Sequence, residues 1–507
     1  MKELSIQTIA DLQEQLGLQT SSSSIFTLPE KVLQFGTGVL LRGLPDYFID
    51  KANKQGIFNG RVVVVKSTSQ GGTDAYETQN CLYTHFIRGL EEGKKVEENI
   101  VNGSISRVLS ASQEWSTILK FATDSSLQIV ISNTTEVGIA LVKEDKIDAD
   151  PPVSFPGKLL AVLHARFKAF NGDPSKGLVI IPTELIVDNA KKLRSILLEL
   201  AALNKAENAF IEWVKNCNHF CNSLVDRIVP GKLPASEKET FETEFGYHDD
   251  LMIMSESYSL WAVETGNETV KEILSFYKAG AGVVIADDIN KFRELKLRLL
   301  NGAHTLTCAL AHIAGCTTVK EAMDDEMIAA YVASLMLGEI APAITTPNLP
   351  FDEATAFAQK VMDRFRNPFI EHRWLSISVQ YSSKMKMRIL PVLIKHYENH
   401  GTVPSLVAAG FAAYILFMKC RKEHDSFVGS AGGKEYSIQD EHAGWFAERA
   451  ELEGRELVQA VLTNTEFWQT DLSKLPGFPE AVLNNYDQLA KGEVKRLISD
   501  CLNCHSL

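Results

Sequence analysis

Four unbroken apolar runs punctuate the first part of the chain: "VLQF" (Val32–Phe35), "RVVVVKST" (Arg61–Thr68), "LQIVIS" (Leu127–Ser132) and "GLVIIP" (Gly177–Pro182). Helical periodicity follows the first run to about Asn53 and returns in "PGKLLAVLHARFKAF" and "AKKLRSILLELAAL". A strand exposed on one face alternates apolar with polar residues, so continuous apolar runs predict strands covered on both faces. Strands that alternate with helices predict a parallel sheet with helices on either side. From about residue 285 the pattern becomes amphipathic helices without clear strand runs, separated by loops such as "PAITTPNLPFDE". The length of 507 residues also calls for more than one core.

The join between the first strand and its helix reads "QFGTGVLLRG". Two glycines there let a pyrophosphate approach the backbone, and the helix that starts behind them offers free N–H groups and a positive dipole end. Leu41 stands where a third glycine is usual, with Arg42 next to it, so the fingerprint is incomplete and a plain tight turn remains the competing reading. Phe35, Gly36, Thr37, Gly38 and Arg42 are the candidate cofactor contacts on this side. The second strand ends in Lys66, Ser67 and Thr68 instead of the acid that would hold a ribose, which leaves NAD against NADP open. Ligands of such sheets lie at the carboxyl ends of the strands, and two further ends are polar: "SNTTE", with Asn133, Thr134 and Glu136, and "TELIVDN", ending in Asn189. The expected fold is a Rossmann-like α/β nucleotide-binding domain over about residues 1–280, followed by a mainly α-helical domain over about 285–507.

Charge and cysteine usage narrow the function. A formal net charge of −13 without a clustered basic run disfavours a nucleic-acid partner. The polar start "MKELSIQTIADLQEQ" lacks the apolar core of a secretory signal, and the apolar run Leu406–Met418 is short for a bilayer span, so a cytoplasmic, membrane-free protein is expected. Eight scattered cysteines fit a reducing compartment. "CLNCH" has the spacing of a haem attachment site but sits at the end of the sequence, and "CNHFC" has no second ligand pair behind it, so neither predicts a metal.

The stretch "KLRLLNGAHT" (Lys296–Thr305) places a lysine, an asparagine and a histidine on an otherwise apolar helix. The bland account makes Lys296 a solvated charge, Asn301 and Gly302 a helix end, and His304 a hydrogen-bonded core residue. The alternative account makes the three a polar set lining a substrate pocket.

These segments together resemble the long-chain mannitol dehydrogenase family of polyol and uronate dehydrogenases. The family pattern of Lys, four residues, Asn, two residues, His is met by Lys296, Asn301 and His304, behind "NSLVDRIVPG" and "ESYSLWAVE" in the family's order. "CLYTHFIRGL", "SNTTEVGI" and "RFRNPFIEHRWLSIS" look most like the branch that interconverts tagaturonate and altronate. The resemblance implies an NAD-dependent, zinc-independent oxidoreductase of a hexuronate, with Lys296 as an acid/base group whose pKa falls from about 10.4 on desolvation, Asn301 and Asn189 as donors to a developing alkoxide, and His304 as a partner for a substrate hydroxyl. Polyol-oxidising relatives carry an arginine where Ser376 stands, and the nearby "KMKMR" offers Lys384, Lys386 and Arg388 to a carboxylate, with Lys384 aligned to the family lysine. Asp226 and Glu136 are further candidate substrate contacts. Fructuronate reduction, polyol oxidation and a catalytically silent nucleotide-binding protein are the competing functions.

Overall fold

Where the apolar runs predict strands, six strands form one all-parallel sheet: β1 (Glu30–Phe35), β2 (Arg61–Lys66), β3 (Ile105–Ser110), β4 (Ile129–Ser132), β5 (Val179–Pro182) and β6 (His219–Phe220). Their spatial order is β3-β2-β1-β4-β5-β6, that of a doubly wound dinucleotide-binding sheet. This computed structural model describes residues 1–12, 17–68, 72–134, 138–231 and 233–505.

Alternate residues of each strand feed two separate cores. Val32, Val62, Val64, Ile129 and Ile131 join one cluster, while Leu33, Phe35, Val63, Val65 and Val130 join the other. Both faces are therefore dry, which is why these strands read as continuous apolar runs. Register brings Val65, Phe35, Ser132 and Pro182 side by side at the carboxyl edge. Smaller sheets complete the first compact unit, residues 1–89 with 95–289, including Ser223–Asp226 paired with Leu260–Glu264.

The second unit, residues 90–94 with 290–507, is built from helices around Ser405–Met418, whose residues are nearly all buried. Helix Asn301–Ile313 crosses it at Gly410, where an added Cβ would lie 2.6 Å from Leu306. Only a glycine lets the two backbones come this close. The helical run Glu326–Ile344 is long and apolar enough to cross a membrane, yet 56% of its apolar window is buried inside the unit.

One expectation for this half needs correcting. A three-stranded antiparallel sheet, Cys420–Glu423, Ser426–Ala431 and Lys434–Ile438, interrupts the helices. Two-residue turns link its strands, His424-Asp425 and Gly432-Gly433, and His424 and both glycines have positive φ. Such turns match the twist of a hairpin, so short, mostly exposed strands form without a long apolar run.

Candidate active site

In the first unit, Gly36 follows β1 with φ of 129°, and an added Cβ would meet Leu41 Cδ1 at 2.9 Å and the Asn133 carbonyl oxygen at 3.0 Å. Leu41 thus fills the space that Gly36 leaves, which explains the missing third glycine. Gly38 precedes the helical turn Val39–Gly43, and an added Cβ there would meet nothing within 4 Å. No side chain caps this turn, so the surface over Gly38 presents bare backbone to a ligand. Arg42 is placed otherwise than expected: it is buried, donates to the Leu251 carbonyl and lies over the Tyr83 ring. Lys66 is also buried, and its ammonium folds back onto the Thr68 carbonyl.

The polar strand ends bond mainly to one another. Asn133 donates to the Thr183 carbonyl and hydroxyl at 3.1 and 3.0 Å. The buried Glu184 carboxylate accepts from the Thr134 N–H at 2.9 Å, the Thr134 hydroxyl at 3.0 Å and the Ser132 hydroxyl at 3.2 Å. Burial raises the pKa of Glu184 above the usual carboxylate value despite those donors. Sequence reasoning passed over Glu184, although it lies within the quoted "TELIVDN". Asn189, expected as a donor to substrate, is instead fully buried: its Nδ2 donates to the carbonyls of Pro182, Glu184 and Ser223, and its Oδ1 accepts from Ser223 N–H. Every amide hydrogen is spent on backbone, so Asn189 ties the end of β5 to the next sheet. Asp226 ends its strand, buried, opposite Leu260. Glu136 lies outside the described residues.

In the second unit, Lys296 belongs to a π-helical turn, Leu295–Leu300, continuous with helix Asn301–Ile313. An α-helix would put residues five apart about 140° out of line. Here the Asn301 N–H donates to the Lys296 carbonyl, an i to i+5 bond that sets the two residues one turn apart. A second π turn, Met385–Ile389, lies alongside. Arg298 pairs with Glu294 and donates to the Met387 and Arg388 carbonyls, while Arg388 donates to the Thr305 hydroxyl at 3.1 Å. A Cβ added at Gly302 would meet Ile389 Cδ1 at 3.5 Å, so this glycine belongs to the same packing.

His304 is buried and stacked on Phe365, with ring centroids 4.0 Å apart, and edge-on to His372 at 5.0 Å. Its Nε2 has no hydrogen-bond partner among the described residues. Burial pushes its pKa well below the ordinary value, and the fields of His372, Arg364, Arg388 and Lys384 push the same way. The ring is therefore neutral in a strongly electropositive surrounding. Burial lowers Lys384 as well, with Arg388 second, and its ammonium donates to the Ile377 carbonyl at 2.7 Å. Burial brings Arg388 down to about 10, and its buried Nε has no partner among the described residues. Lys386 is half-buried on the same turn. The half-buried Asn301 amide has no hydrogen-bond partner among the described residues, in contrast with Asn189. The bland account of a hydrogen-bonded core histidine thus does not describe His304.

Comparison with known proteins agrees with both halves. Residues 30–274 match the mannitol dehydrogenase Rossmann domain and residues 288–490 the mannitol dehydrogenase C-terminal domain. The chain is 38% identical to the altronate oxidoreductase of Shigella flexneri over 480 residues, covering 93% of this chain and 96% of that one. It is 37% identical, with the same coverage, to the altronate oxidoreductase of Escherichia coli O7:K1. Among solved structures, Pseudomonas fluorescens mannitol 2-dehydrogenase, in a ternary complex with NAD and D-mannitol, aligns with a TM-score of 0.70 at 22% identity, covering 99% of each chain. A D-sorbitol dehydrogenase aligns with a TM-score of 0.76 at 19% identity, covering 98% of this chain and 100% of that one. At these identities the structural likeness speaks for the fold.

Proposed function

The chain belongs to the mannitol dehydrogenase family and is an oxidoreductase of CH–OH groups, and we propose that it interconverts D-tagaturonate and D-altronate with NAD. The observation that carries this reading is the surrounding of His304: a buried ring whose Nε2 has no partner among the described residues, under the fields of Arg364, Arg388 and Lys384. A hydroxylated anion satisfies both features at once, whereas a neutral polyol satisfies only the hydrogen bond. The altronate oxidoreductase relatives point to the same substrate class.

The glycine turn fits a dinucleotide, because a Cβ at Gly38 would enter open space in front of a helical N-terminus. Phe35, Gly36, Thr37, Gly38, Asn133 and Thr134 would hold NAD, which supplies or accepts the hydride when bound. The engagement of Lys66 with Thr68 favours NAD over NADP, since the ammonium is not extended toward a 2′-phosphate.

In the reductive direction, Lys296 gives a proton to the carbonyl oxygen as that atom becomes a hydroxyl. Asn301 donates its amide hydrogen to the same oxygen, a pairing supported by the π turn, which sets Asn301 one turn beyond Lys296. His304 Nε2 bonds a neighbouring hydroxyl. Lys384, with Arg388 and Lys386 beside it, faces the carboxylate. In the oxidative direction Lys296, as the neutral amine, takes the hydroxyl proton back.

Nicotinamide absorbance with tagaturonate, fructuronate, fructose and mannitol tests this reading. Tagaturonate should lead, and each neutral sugar should fall at least roughly tenfold behind, the worth of one charge-assisted hydrogen bond. Equal use of fructose and tagaturonate would refute the anionic substrate. A clear preference for NADP would refute the cofactor.

A further inference from the structure

His372 has no part in the mechanism above, yet its ring lies edge-on to His304 and under the fields of Lys384 and Arg364. Its segment is fixed from outside: Val319 N–H donates to the His372 carbonyl at 2.9 Å, Trp374 N–H donates to the Thr317 carbonyl at 3.1 Å, and Arg373 bridges to Thr318. On this anchored backbone the half-buried ring lies edge-on to His304. Near it stand His304 on helix Asn301–Ile313, Arg364 on helix Phe351–Phe365 and Lys384 on helix Tyr381–Lys384, while Arg388 acts on the neighbouring His304. Its own segment adds Glu371 and Arg373, which bond to each other at 2.7 Å in solvent. Burial and nearby cations disfavour the charged form of this imidazole, and an arriving anion would favour it.

We propose that His372 is a specificity residue that takes up a proton as the substrate carboxylate binds, adding a charged hydrogen bond that a neutral sugar cannot induce. The proposal rests on the hexuronate reading and extends it, since the selectivity for an anion then includes a proton drawn from solvent. Burial, then Lys384 and Arg364, hold the free ring's pKa below the ordinary histidine value. A carboxylate between these groups reverses the balance, because an opposite charge favours the imidazolium. Linkage fixes the sign: a group that gains a proton on binding makes affinity rise as pH falls, here on the acid side of about pH 7.

The test is calorimetric. Altronate is titrated into the enzyme–NADH complex, a pairing in which both partners are already reduced and no turnover occurs, in two buffers of different ionisation enthalpy. The wild type should take up protons with altronate, increasingly from about pH 8 to about pH 6, and none with mannitol. His372→Gln should abolish the uptake and weaken altronate binding roughly tenfold, leaving NADH binding unchanged. If that variant fails to fold, His372→Phe keeps the edge-on ring and replaces it. Altronate binding without proton uptake in the wild type overturns the proposal and leaves the hexuronate reading standing, as does uptake that persists in the variants. No altronate binding by an enzyme that turns over polyols overturns both.

Discussion

The polar residues of the two units are used in opposite ways. At the carboxyl edge of the parallel sheet, Asn133, Thr134, Glu184 and Asn189 satisfy one another and the backbone. Around helix Asn301–Ile313, the Asn301 side-chain amide and His304 Nε2 have no hydrogen-bond partner among the described residues, and the strongest fields on His304 are all of one sign. A saturated network holds a shape. An unsatisfied, like-charged one is costly unless a ligand completes it. The first unit is thus a frame on which a cofactor can lie, and the second is where substrate chemistry should be sought.

The largest expected effect tests the second half of that statement. Lys296→Ala should lose roughly 100-fold or more in turnover, the usual worth of a general acid/base, with NADH affinity unchanged. Single-turnover reduction of tagaturonate measures the first and fluorescence titration of NADH the second. Retention of more than about a tenth of wild-type turnover would remove Lys296 from the acid/base role.

The two asparagines allow the comparison to be broken directly. Asn189→Ala strands a group of buried backbone donors and acceptors, and should cost on the order of 2–4 kcal/mol in stability. Asn301→Ala strands none, and should cut turnover by about tenfold to a thousandfold with a change in stability of less than about 0.5 kcal/mol. Chemical denaturation alongside kcat separates them. If Asn189→Ala melts like the wild type but loses turnover, the saturated network is not a frame.

Lys384→Met sharpens the claim about charge. Its ammonium already has one acceptor in Ile377, so the loss should fall on KM for tagaturonate, by about tenfold to a hundredfold, and hardly on fructose. Uniform loss on both substrates would show that Lys384 supports the turn instead of reading the carboxylate.

How much of this was legible depended on whether a signal lay in composition or in geometry. The parallel sheet was readable because burial on two faces forces unbroken runs such as "VVVV". Lys296, Asn301 and His304 were readable as a set, but the π turn that aligns them leaves no compositional trace, and without it their spacing puts Lys296 on the wrong side of the helix. The sheet at 420–438 was announced by "AGGK", a two-residue glycine turn, and was missed because its strands are too exposed to form apolar runs. Glu184 and Asn189 lay within one quoted segment, where an acid or amide at a strand end can serve a ligand or the backbone. Only the partners decide, and they come from Ser132, Thr134 and Ser223, far away in sequence.

The smallest expected effect concerns Gly302. A glycine beside two catalytic candidates suggests room kept for a ligand, but an added Cβ would make only ordinary contacts, with Ile389 at 3.5 Å and the Leu297 carbonyl at 3.6 Å. Helical glycine costs roughly 0.5–1 kcal/mol relative to alanine, because it loses more backbone freedom on folding. Gly302→Ala should therefore stabilise the second unit by up to about 1 kcal/mol, and thermal unfolding can measure it. The same variant tests the site. If turnover of tagaturonate is unchanged, Gly302 serves the packing of the two π turns alone. If stability rises while KM for the substrate climbs severalfold, the missing methyl is space that the substrate uses, and the second unit's polar face extends one residue further than its packing indicates.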